Sequence, residues 1–174
     1  QKLDVARARA DFLTRKTELD AAFANDQDYA TAQERYGKAL DDIKSGSSGL
    51  IRNPRARELF SLGVADDVAR GVANAAVRAQ GQWKDATAAD ATNRLNGLRD
   101  AALKNTDPAE RARLIDSGNS LIESLADRGI ITRETAVTQK RQWTAKYSEA
   151  VLSSLPAAER VSALGGFQGA LVGR

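Results

Sequence analysis

Apolar residues recur along this chain at steps of three and four, and nowhere do they alternate with polar ones for long enough to make a strand. Val5, Phe12, Leu19 and Phe23 fall on one side of a helix over residues 3–24. Asn25-Asp26-Gln27-Asp28 then supplies residues that cap helices. Tyr29, Ala32, Tyr36, Leu40 and Ile43 mark a second helix reaching about Lys44. Ser45-Gly46-Ser47-Ser48-Gly49 breaks the pattern, and residues 45–53 read as a flexible linker.

The longest periodic stretch follows. Phe60, Val64, Val68, Val72, Ala75, Ala79 and Trp83 form one line, continued by Ala91, Leu95, Leu98 and Ala102. Unbroken, a helix over 54–105 would be about 75 Å long at 1.5 Å per residue. Gly63, Gly71, Gly81 and Gly97 interrupt it. Each costs about 1 kcal/mol against alanine, and Gly81 beside Trp83 is the expected kink. Beyond it, Leu114, Ile115, Leu121, Ile122 and Leu125 define a fourth helix, with Gly129 as its stop. Ile130-Ile131 reads as a connector tucked into the core, and Thr132 as the cap of a fifth helix carrying Ala136, Trp143, Tyr147 and Ala150. Leu155-Pro156 opens a short last helix that Gly165-Gly166 ends. Asn53-Pro54 and Asp107-Pro108 each pair an N-cap residue with proline at the first helical position.

The pattern predicts an all-α fold without a sheet: an elongated multi-helix bundle, or helical hairpins, with one long Ala-rich central helix. Residues 1–44 form an N-terminal hairpin, 45–53 the linker, 54–105 the central helix, and 106–174 a C-terminal hairpin with a short terminal helix. Composition sharpens this picture. Of 174 residues 42% are hydrophobic, yet 32 are alanine. Leu, Ile, Val and Phe together number 36, near the ~20% level below which chains stop folding alone. Such thin seams lead us to expect that part of the stability comes from neighbouring protein, and that the chain is an ordered piece of a longer polypeptide.

Candidate chemistry is narrow. With no Cys and no His, the chain has no thiol nucleophile or imidazole base, and no Cys or His ligand for zinc, haem or an iron–sulfur cluster. The pairs Asp41-Asp42 and Asp66-Asp67 are adjacent on helices, so their side chains point about 100° apart and do not converge. Ser45–Gly49 lacks the Lys-Ser or Lys-Thr of a phosphate loop. No cofactor is expected, no catalytic or metal residue is assigned, and the chain reads as non-enzymatic. No apolar run is long enough to span a bilayer, and the first residues lack the apolar region of a signal peptide.

The seams are the positive finding. Val68, Val72, Ala75, Ala79 and Trp83, with Trp143 and Tyr147, are the candidate surface for self-association. Lys140, Arg141 and Lys146 interleave with Trp143 and Tyr147 as base-stacking nucleic-acid readers do. A net charge of only +3 argues against an extended phosphate-binding face.

Asp26-Gln27-Asp28-Tyr29 opens one helix, and Asn53-Pro54-Arg55 starts the long Ala-rich one. Gly129-Ile130-Ile131-Thr132, Lys140-Arg141-Gln142-Trp143 and Leu155-Pro156 follow in order. On these residues the stretch 26–160 resembles helical regions of large phage and prophage virion proteins of the internal or ejection type. In those families such regions accompany a separate lytic transglycosylase domain. No transglycosylase Glu motif lies in this stretch, so no catalytic residue carries over. The resemblance implies a virion part that binds other copies of itself and other virion proteins. It also implies delivery into the host envelope at infection, to help form a conduit for the genome. Two other readings stand beside it: a packaging protein that contacts nucleic acid, and a bacterial helical adaptor.

Overall fold

Capping chemistry decides where this chain turns. The structure, a computed structural model, describes residues 2–154, 156–157 and 159–162. Its elements are α1 (Lys2–Ala24), α2 (Tyr29–Gly49), α3 (Pro54–Lys104), α4 (Pro108–Asp127) and α5 (Arg133–Ser154), and no strand occurs among the described residues. Residues 157 and 159–162 are helical after Pro156, whereas Gly165-Gly166 lies outside the described residues.

The proline starts work as their residue types require. Asn53 Oδ1 accepts from the Ala56 N–H at 3.2 Å, and Asp107 Oδ1 from the Ala109 N–H at 2.9 Å. In both, an arginine three residues after the proline reaches back to the carbonyl three residues before it. Arg57 Nε donates to the Ile51 carbonyl at 2.5 Å, and Arg111 Nε donates to that of Asn105. Gly129 takes φ +67°, a conformation that a Cβ would strain. The Gly129 N–H reaches the Ala126 carbonyl at 3.0 Å and the Ile130 N–H that of Leu125 at 2.9 Å. Those two bonds make a Schellman stop. Thr132 Oγ1 then caps α5 through the Thr135 N–H at 3.0 Å. At the first turn Asp28 does not cap α2 through its side chain. Asp26 Oδ1 accepts from the Asp28 N–H instead, and Arg35 locks the turn by pairing with Asp26 at 2.7 Å and lying over Phe23.

One sequence expectation about this layout needs correction. The proposed linker is helical as far as Gly49, because α1 covers it: Ser47 is fully buried and its hydroxyl donates to Asp11 Oδ2 at 2.7 Å. That contact offsets the poor helix propensity of Ser and Gly. The true connector is residues 50–53, and Ile51 within it is buried. The long central helix is present as expected, and it runs unbroken through Gly81. A single glycine weakens a helix by about 1 kcal/mol, too little to end one held by packing on either side. Just beyond it, Gln82 Nε2 donates to the Asp26 carbonyl at 2.8 Å.

The chain divides into two units between Asp85 and Ala86, inside α3 and not at its end. In the first, α1 and α2 run antiparallel, and Ala8 and Phe12 meet Tyr36, Leu40 and Ile51. The first part of α3 closes this core with Ala56, Phe60, Val64 and Ala75, and Phe12 meets Phe60 edge-to-face at 6.3 Å. Gly71 is the point of closest approach. A Cβ there would stand 2.7 Å from Tyr36 Oη. That hydroxyl donates to Asp20 Oδ1 at 2.6 Å, and Lys16 Nζ meets Asp20 Oδ2 at 2.7 Å. In the second unit, α4 and α5 are antiparallel around Ile122, Ala136 and Trp143, with Leu95 and Leu98 of α3 and Ile131 packed against them. The Trp143 indole lies on bare backbone at Gly118, where a Cβ would overlap the ring, and its Nε1 donates to the Ile115 carbonyl at 3.2 Å.

Gly118→Ala is therefore expected to destabilise the second unit by about 1–3 kcal/mol, the usual cost of overpacking, although alanine is the better helix former. Thermal unfolding with and without the substitution measures this, and an unchanged or raised midpoint would show that the ring does not need the glycine.

Asp20 gives a pH dependence. Partial burial pushes its carboxyl pKa up, but hydrogen bonds from Lys16 and Tyr36 and the charges of Lys16 and Arg78 outweigh that and hold it below the ordinary value. The Tyr36 hydroxyl is pushed up by burial and by Asp20. A carboxylate depressed in the folded state stabilises above its unfolded pKa, about 4, and loses that contribution as pH falls through the lower folded value. In Tyr36→Phe the Asp20 carboxyl carbon is expected to titrate at higher pH by NMR, and acid unfolding to begin at higher pH. An unshifted Asp20 titration would refute the coupling.

Candidate interaction surfaces

The predicted association seam is used inside the chain. Val68 and Val72 are half-buried against the first unit's core, and Ala75 belongs to that core. Ala79 and Trp83 are half-buried on the same helix. Trp143 is part of the second unit's core, and Tyr147 is half-buried beside it in sequence. These seven residues thus divide between two units and do not form one exposed face. The physical reason is general: periodicity identifies a stripe that must be covered, but not which surface covers it.

The opposite side of α3 was not singled out from sequence, and it carries what that seam lacks. Leu59, Leu62 and Val77 are 59%, 68% and 69% exposed. Leu59 and Val77 are 18 residues apart, which is five whole turns at 100° per residue, so they point the same way. Leu62 lies about 60° to one side, with exposed Ala73 between them on that side. Exposed Gly63, Asp66 and Arg70 complete the strip. The signal was present in the sequence, since α3 is apolar at positions both on and off its main line. The other exposed large apolar residues include Leu3, Leu50 and Val137, scattered over separate elements, which needs no explanation.

The cationic candidates fare unevenly. Lys140 Nζ is paired with Glu123 Oε2 at 2.6 Å. Glu123 also takes Arg133 at 2.6 Å, and Arg133 holds Asp127 at the same distance. The hydrogen bond and charge of Lys140, with those of Arg133, hold the Glu123 carboxyl below its ordinary range. Arg141 and Lys146 are exposed. Trp143, at 6% exposure, offers too little of its ring for a base to stack on.

A cleft of about 190 Å³ lies above Trp143 within the second unit. Leu95, Leu125 and Ile131 form its apolar part, while Arg99, Lys146, Gln139 and Gln142 bring polar ends. No carboxylate lines it, and its one hydroxyl, on Thr92, already donates to the Ala88 carbonyl. Among the described residues no group of His, Cys, Asp or Glu is placed to hold a metal ion, and no helix is long and apolar enough to cross a membrane.

Burial separates the two tryptophans and can be read directly. In Trp83→Phe only Trp143 emits, and its fluorescence is expected to be blue-shifted and poorly quenched by acrylamide until the second unit unfolds. Red-shifted, easily quenched emission would place the indole in water and reopen the stacking role.

No family model matches the chain, and no curated protein or solved structure matches it significantly.

Proposed function

We propose that the chain is a non-enzymatic structural module that assembles through helix–helix contact, as part of a larger phage virion protein of the internal, ejected type. One observation carries the assembly part: Leu59, Leu62 and Val77 stand exposed along one side of α3. A large apolar side chain left in water forgoes about 1.5–3 kcal/mol relative to burial, and a row of them on one helix face is how a partner site is built. The virion part is supported by the resemblance carried by Asp26–Tyr29, Asn53-Pro54-Arg55 and the ordered elements up to Leu155-Pro156. On this reading the module packs inside the particle and is delivered to the host envelope, where association helps to build a conduit. The packaging reading has less support, because Lys140 is neutralised by Glu123 and Trp143 is buried.

Sedimentation over a range of concentrations tests the assembly part. Leu62→Glu and Val77→Glu are expected to weaken association at least tenfold while leaving the melting temperature unchanged at a concentration where the chain is monomeric, since both side chains are outside the core. Association unaffected by either substitution would overturn the reading. For the virion part, the chain is expected among the proteins of purified particles and absent from particles that have ejected their DNA, as read by mass spectrometry.

A further inference from the structure

We infer that the partner on the exposed face of α3 is a second copy of this chain, laid antiparallel about a two-fold axis at the level of Val68. This rests on the assembly reading above and gives it a partner and a register. The argument begins with the charges. Asp66 and Arg70 are exposed near the middle of the face, and neither forms an ion pair among the described residues. They lie four residues apart, about 20° to either side of the line through Leu59 and Val77. A two-fold axis midway between them sets Asp66 of each copy beside Arg70 of the other, so two ion pairs form and every one of these charges is paired once.

The same axis then fixes everything else on the face. Leu59 and Val77 are equidistant from it, nine residues to each side, so Leu59 of one copy lies over Val77 of the other at both ends. Leu62 falls against Ala73 of the second copy. Gly63 and Ala73, both exposed, keep the surface low between the larger side chains. The parallel alternative in the same register sets Asp66 on Asp66 and Arg70 on Arg70, which like-charge repulsion opposes. Charge and shape thus select one orientation of one partner, and a face complementary to itself under a two-fold axis is what an isologous dimer requires.

The interface is small. A strip about 27 Å long and about 10 Å wide covers about 270 Å² on each copy, about a third of the standard ~800 Å². Association is therefore expected to be weak and readily reversible, and weaker still at high salt.

The chain has no cysteine, so introduced thiols report cleanly. Leu59→Cys and Val77→Cys are made separately, then oxidised alone and as an equimolar mixture at a concentration where the chain associates. Antiparallel pairing brings position 59 of one copy beside 77 of the other, within disulfide reach, and holds 59 from 59 about 27 Å apart. The mixture is expected to give the mixed disulfide at least tenfold over either homodimer. Asp66→Arg and Arg70→Asp singly are expected to weaken association at least tenfold, and the double exchange to restore it. Predominant 59–59 and 77–77 disulfides would overturn the inference in favour of a parallel pair, with assembly through α3 intact. Association insensitive to the charge exchange would overturn it likewise. So would a monomeric chain that captures a different protein through Leu62. Association that also survives Leu62→Glu and Val77→Glu removes the assembly reading itself, and so does a chain that stays monomeric and captures no partner.

Discussion

Each unit is closed by one large aromatic side chain resting on the backbone of one glycine. In the first, the Tyr36 hydroxyl sits above Gly71; in the second, the Trp143 indole lies on Gly118. With so few large apolar side chains, these helices cannot be held by thick layers of leucine. They gain cohesion by coming close, and closeness needs a residue without a Cβ opposite the ring. The neighbouring contacts follow. Tyr36 at that depth must place its hydroxyl, and Asp20 accepts it. Trp143 must place its N–H, and the Ile115 carbonyl accepts it.

That constraint explains which parts of the architecture can be read from sequence. The helix starts at Asn53-Pro54, Asp107-Pro108 and Thr132 and the stop at Gly129 are local, set within a turn by residue type, and all are legible. The all-α class follows from the three- and four-residue steps. What sequence misjudges is tertiary. Ser45–Gly49 has linker composition, but Asp11 on α1 supplies a partner for Ser47 and holds the segment helical. Gly71, by contrast, is a small residue on the seam of the kind that permits close helix contact, and Tyr36 fits there. Composition reports a residue's intrinsic preference, and a single buried hydrogen bond or ring contact outweighs it.

The two sides of α3 differ in how legible they are for a related reason. The line from Val68 to Trp83 is the more regular stripe, so periodicity selects it. It is regular because α1 and α2 need it. Leu59, Leu62 and Val77 look irregular from sequence, being mixed with Asp66 and Arg70. Their meaning emerges only when α3 has one side against its own unit and the other in water.

Surface ion pairs do not alter this accounting. Lys16–Asp20, Arg94–Asp90 and Arg15–Asp11 span one helical turn, and each such pair stabilises its helix by only about 0.3–0.5 kcal/mol. Burying one leucine is worth several times that. A chain with 36 large aliphatic or Phe residues therefore depends on where those few are placed. Phe12, Leu40, Phe60 and Val64 go to one core and Ile122 to the other. Leu59, Leu62 and Val77 are withheld from both, and in a molecule so short of apolar surface, leaving three of them in water on one side of a single helix is the strongest support for the assembly proposed above.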